Sequence, residues 1–112
     1  MDKDNTRVIE LGEKDLEDAI RGLPALVVDC YATWCPDCRV IAPLIEQLAA
    51  DNKGCIVFAG MDMEHSQAVK ELYQIMAVPT LLIFRDGRLV SRLVEPAPQK
   101  AQLQKELDRC FA

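Results

Sequence analysis

Long apolar runs are missing from this 112-residue chain. Its longest hydrophobic stretches, LPALVVDCYA and VPTLLIF, have the length of strands and fall short of the roughly 20 residues that span a membrane as a helix. The opening segment, MDKDNTRVIELGEKD, is polar and acidic and lacks the apolar core of a secretory signal; it is expected to be a solvated face. A basic excess is also missing. Thirteen Lys and Arg stand against eighteen Asp and Glu, a formal net charge of −5. Nucleic-acid binding needs clustered cations against phosphate, and no such cluster or basic-aromatic patch occurs. Cysteines number five, an odd count that suits a reducing compartment better than a paired disulfide framework. Repeats, low-complexity tracts and internal linkers are absent as well. A single domain over 1–112, soluble, cytoplasmic and monomeric, is expected, with neither membrane nor nucleic acid as partner.

Half of the residues are hydrophobic, enough for a core that needs no disulfide staples. TRVIEL reads as a short strand, and GEKDLEDAIRG as a helix with Leu16, Ala19, Ile20 and Leu23 at helical spacing. ALVVDCYA reads as a strand buried on both faces. From Cys35 to about Asn52 the period becomes helical through Val40, Ile41, Leu44, Ile45, Leu48 and Ala49, with Pro43 inside the run. CIVFAGMDM is a third buried strand. SQAVKELYQIM is a helix with Ala68, Val69, Leu72, Tyr73 and Met76 on one stripe. TLLIFRDGRLVSRLV is a hairpin turning at Asp86-Gly87, and PQKAQLQKELDRCF an amphipathic helix. The order β-α-β-α-β-α-β-β-α predicts an α/β fold: a mixed central sheet flanked by helices, parallel where helices cross over and antiparallel at the final hairpin.

The chemistry concentrates in Trp34-Cys35-Pro36-Asp37-Cys38, beside the chain's only tryptophan. Cys35 falls between a buried strand and a helix, where the first N–H groups of the helix lack partners and favour a thiolate, the nucleophile of disulfide exchange. Cys38, one turn on, returns to the same end and can resolve a mixed disulfide formed at Cys35. Pro36 suits the first helical turn. The N–H of Asp37 can stabilise the Cys35 thiolate while its carboxylate opposes it, so both residues tune the couple. Asp29, in an apolar run, should have a raised pKa and base strength near neutral pH.

VVDCYATWCPDC, IAPLIEQLA and AVPTLLIFRDG, in that order and at those distances, resemble the thioredoxin family over essentially the whole chain. The resemblance implies a five-stranded mixed sheet flanked by four helices. It makes Cys35 the attacking and Cys38 the resolving cysteine of a redox disulfide, and Asp29 the proton shuttle of the resolving thiol. It makes Pro79 a cis-proline beside the sulfurs, leaves Val78 to pair with an extended substrate, and has Trp34 shield the site and touch partners. It also implies a thiol–disulfide oxidoreductase that reduces protein disulfides, binds no cofactor or metal, and draws electrons from an NADPH-dependent flavoprotein reductase of the thioredoxin-reductase kind or a dedicated one.

Three departures stand out. Pro36-Asp37 replaces the usual Gly-Pro, Gly60 replaces a lysine that usually neighbours the buried aspartate, and VEPAP replaces a glycine-containing loop. Glu95 and Pro96 there add charge and stiffness at the substrate surface, so a narrower substrate range is expected. Two rival readings differ in class. One is an interaction module with incidental redox activity. The other is a metal or iron–sulfur binder that recruits Cys30, Cys55, Cys110 or His65, since Cys30-x4-Cys35-x2-Cys38 reproduces the opening of a known cluster spacing. The three remaining cysteines, together with Tyr31, Tyr73 and Met76, follow apolar faces and read as packing, with Cys110 the most exposed thiol; His65 reads as an ordinary surface residue.

Overall fold

The computed structural model describes residues 8–112. Nine main elements follow one another: β1 (Ile9–Glu10), α1 (Leu16–Gly22), β2 (Ala25–Tyr31), α2 (Pro36–Asp51), β3 (Val57–Asp62), α3 (Gln67–Leu72), β4 (Thr80–Arg85), β5 (Arg88–Val94) and α4 (Lys100–Cys110). Short 3-10 turns at Glu13–Asp15 and Met63–His65 precede α1 and α3. The five strands form one sheet in the order β1-β3-β2-β4-β5. β1, β3 and β2 are parallel, whereas β4 lies antiparallel to β2 and β5 antiparallel to β4. This is the mixed sheet with four helices that the element order predicts.

Side chains alternate between faces along each strand, and the alternation sorts β2 into two cores. Val27 packs with Ile41, Ile45 and Leu48 of α2 and with Leu103 and Leu107 of α4. Leu26, Val28 and Cys30 pack with Leu16 of α1 and Val69 of α3 on the other face. By the same parity Asp29 faces α2, under the helix that begins at the two cysteines. The hairpin turns where expected, with Asp86 and Gly87 both at positive φ (52° and 84°), the pairing that matches the twist of the flanking strands. α2 runs through Pro43 as one element.

Several expectations need correction. Of the strand expected at TRVIEL, residues 6 and 7 lie outside the described residues, as do the other five of the first seven residues of the acidic opening segment, and pairing is confined to Ile9–Glu10. The helix expected over 66–76 ends at Leu72. Gln74 takes a left-handed conformation (φ 53°), its N–H donates to the Glu71 carbonyl at 3.2 Å, and the Ile75 N–H reaches back to the Lys70 carbonyl at 2.9 Å. These two bonds close the helix and bury Ile75. Leu72 and Met76 consequently leave the apolar stripe and stand 73% and 92% exposed. Val40, also expected in the core, is exposed. The third strand starts at Val57 because a turn through Asn52 and Gly54 (φ 84°) precedes it, which leaves Cys55 exposed. Cys110, expected to be the accessible thiol, is buried on the Leu103–Leu107 stripe of α4.

Candidate active site

Cys35 is the N-cap of α2, held in extended conformation (φ −85°, ψ 116°), with Pro36 as the first helical residue. The cap position turns its sulfur toward the unpartnered donors of the first turn. The Cys38 N–H donates to Cys35 Sγ at 3.2 Å. The donor is thus Cys38, three residues on, and not Asp37 as the sequence suggested; Asp37 is exposed. On its other side Cys35 Sγ donates to the Val78 carbonyl at 3.6 Å, and the Val78–Pro79 peptide bond is cis, as the resemblance implies. Both residues are buried, at 4% and 5% exposure, and both carry free thiols. Burial pushes the Cys38 thiol up to about 12, reinforced by its hydrogen bond to Cys35 and by the charges of Cys35 and Asp29, while a backbone hydrogen bond at Ala32 opposes the rise. A thiol so reluctant to ionise needs a base.

Asp29 stands beneath it. Burial, and after it the negative charge of Glu10, raise the Asp29 carboxyl to about 7, the range of a carboxylate that can take a proton and return it near neutral pH. Its Oδ1 is buried and makes no hydrogen bond. A cleft of about 360 Å³ touches Asp29, Cys38, Ala42, Glu46 and Gly60 and joins the buried carboxylate to the buried sulfur.

Trp34 is 61% exposed, and its indole N–H donates to Glu64 Oε2 at 2.7 Å. Glu95 is exposed at positive φ (48°), and its N–H donates to the Pro79 carbonyl at 2.8 Å. With Asp37, Val40, Pro79, Pro96 and Pro98 it lines a depression of about 180 Å³ beside the dithiol. The fold therefore brings Trp34, Cys35, Cys38, Val78 and Pro79 to one edge, sets Asp29 below, and places Asp37 and Glu95 at the flank.

The cysteines outside the pair do not join it. Cys30 projects into the opposite core, and among the described residues no three His, Cys, Asp or Glu side chains gather as metal ligands. His65 pairs with Asp62 at 3.0 Å on the surface, and its protonated form is favoured by that contact. Sequence reasoning missed Glu10, Tyr31 and Glu64. Tyr31, read as core packing, is half-buried and donates its hydroxyl to Glu10 Oε2 at 2.5 Å. Glu10 and Glu64 reach the site through strand register and a turn, which no local pattern reveals.

A family model described as thioredoxin matches residues 7–109. Thioredoxin from Staphylococcus aureus is 33% identical over 102 residues, covering 91% of this chain and 96% of that protein. Among solved structures, a mutant thioredoxin from Halobacterium salinarum superposes with a TM-score of 0.81 at 28% identity, covering 96% of this chain and 92% of that one. Spinach chloroplast thioredoxin f shares the fold with a TM-score of 0.85 at 19% identity, covering 96% of this chain and 88% of that one. A five-stranded mixed sheet that delivers a buried dithiol to the start of a helix defines a thiol–disulfide oxidoreductase. The chain belongs to the thioredoxin family.

Proposed function

We propose that the protein reduces protein disulfides by dithiol exchange. The Cys35 thiolate attacks a substrate sulfur, forms a mixed disulfide and expels the first substrate thiolate. Cys38 then attacks the Cys35 sulfur, forms the Cys35–Cys38 disulfide and releases the second. Two electrons pass from the dithiol to the substrate. Asp29 takes the proton that Cys38 loses, and a thioredoxin-reductase-like flavoprotein restores the dithiol, in a reducing compartment such as the cytoplasm. The observation that carries this reading is the 3.2 Å bond from the Cys38 N–H to Cys35 Sγ at the helix cap: it stabilises the attacking sulfur and fixes the resolving one beside it. Once Cys35 is tied up in a mixed disulfide, its thiol no longer suppresses ionisation of Cys38, and the second step becomes easier.

The substrate range is narrow. Asp37 and Glu95 place two carboxylates beside an apolar wall of Val40, Pro79, Pro96 and Pro98, which suits disulfide-bearing segments that are apolar and basic and disfavours acidic ones. The test is reduction of a disulfide protein under single turnover. Cys35→Ser should abolish it. Cys38→Ser should stop at a mixed disulfide that mass spectrometry detects on Cys35. Retention of turnover in both variants would end the proposal.

A further inference from the structure

Asp29, Gly60 and Glu10 form one row across the sheet. Asp29 on β2 lies opposite Gly60 on β3, and Gly60 lies opposite Glu10 on β1. Residues in register across a sheet point to the same face, so the two carboxylates face α2 from either side of a residue that has no side chain. The glycine leaves room for both neighbours. A Cβ at Gly60 would stand 3.2 Å from Glu10 Oε1 and 3.2 Å from Cε2 of Tyr31. The space it leaves is taken by the Tyr31 ring, which lies two residues beyond Asp29 on the same face and donates its hydroxyl to Glu10. Glu10, Tyr31 and Gly60 line the same cleft as Asp29 and Cys38, and the unpartnered Oδ1 belongs to Asp29, which is only 7% exposed.

From this geometry we infer that Glu10 is a positioning residue of the dithiol reaction, held by Tyr31 over Gly60 so that its carboxylate keeps Asp29 a proton acceptor for Cys38. The inference rests on the reading given under Proposed function. In the resolving step Cys38–SH and the Asp29 carboxylate become Cys38–S⁻ and Asp29–COOH. The thiolate joins Cys35 in a disulfide, the substrate leaves as a thiolate, and the proton on Asp29 returns to water through the cleft past Glu10. A second negative charge in the row opposes loss of that proton from Asp29, and its effect on Asp29 is second only to burial. Among the described residues, the other charged or titratable groups around Asp29 are Cys38, Arg39 and Glu46 along the cleft, Tyr31, and Cys30 on the far face of β2. Arg39, the one cation among the described residues that line the cleft, donates to the Thr33 carbonyl at 3.0 Å.

The experiment follows the Asp29 carboxyl carbon by NMR against pH, alongside the pH profile of disulfide reduction, in the full chain and in Glu10→Gln, Glu10→Asp and Tyr31→Phe. Glu10→Gln keeps an acceptor for Tyr31 and removes only the charge. It should move the Asp29 titration and the rising limb of the rate profile together to lower pH, by about one pH unit. Glu10→Asp should restore most of that shift, and Tyr31→Phe should produce part of it. Far-UV circular dichroism checks that each variant is folded. Unchanged titration in both Glu10→Gln and Tyr31→Phe would overturn the inference. A wild-type chain that exchanges no disulfide would overturn the proposed function instead, while the Asp29 titration would still decide the role of Glu10.

Discussion

In the proposed reaction Asp29 would carry opposite consequences for catalysis and for stability. An ordinary aspartate titrates near 3.8, whereas this one titrates near 7 in the fold. Between those values the folded state binds more protons than the unfolded one, so stability falls as pH rises through the window and is not penalised below it. At about 1.36 kcal/mol per unit, the full penalty above pH 7 is about 4 kcal/mol. Asp29→Asn should therefore flatten the stability profile between about pH 4 and pH 7, and should stabilise the protein at pH 8 while slowing its exchange; urea unfolding at several pH values measures this. A wild-type profile that is level across the window would contradict the burial argument. The raised pKa was legible in the sequence, because LVVDCYA surrounds the carboxylate with apolar neighbours on its own strand. Its second cause was not. Glu10 lies 19 positions earlier and meets Asp29 only through the register of a two-residue strand, for which periodicity gives no signal.

Elements were legible where residue type and geometry agree, and illegible where a common residue does an uncommon job. Asp86-Gly87 declares its turn because glycine tolerates positive φ. Gln74 stops α3 in the same left-handed region with no such advertisement, so the apolar spacing of Leu72 and Met76 suggested a helix that the backbone does not continue. The same reason misplaced the exposed thiol: Cys55 sits on a turn shaped by Gly54, whereas Cys110 completes the buried stripe of α4. A side chain in the left-handed region costs about 1 kcal/mol. Gln74→Gly should relieve most of it and stabilise the protein by up to about 0.5 kcal/mol after the glycine's own entropy is counted. Chemical denaturation measures the difference; a loss of stability would mean that the Gln74 side chain makes a contribution larger than the strain.

At the scale of the molecule, charge would select partners under the proposed function. The excess of acid gives a negative field, and Asp37 and Glu95 concentrate it beside the sulfurs. Disulfide peptides with a basic flank should be reduced faster than acidic ones, and the preference should shrink as salt is added. Neutralising both residues, Asp37→Asn with Glu95→Gln, should cut that preference about fivefold, at up to about 1 kcal/mol for the exposed pair; parallel rate measurements on the two peptides decide it. An unaltered preference would place the selectivity elsewhere on the surface.

α2 also works as a partition. Cys38, Ala42 and Glu46 face the cleft that reaches Asp29, whereas Asp37, Val40 and Ile41 face the depression beside Pro79, and the two hollows share no lining residue. A client seated against Pro79 and Glu95, as the proposed function has it, would leave the other flank wet. Under the proposed function, electrons and protons would travel by separate doors, and the protein would settle its acid–base account with the solvent while the client is still docked.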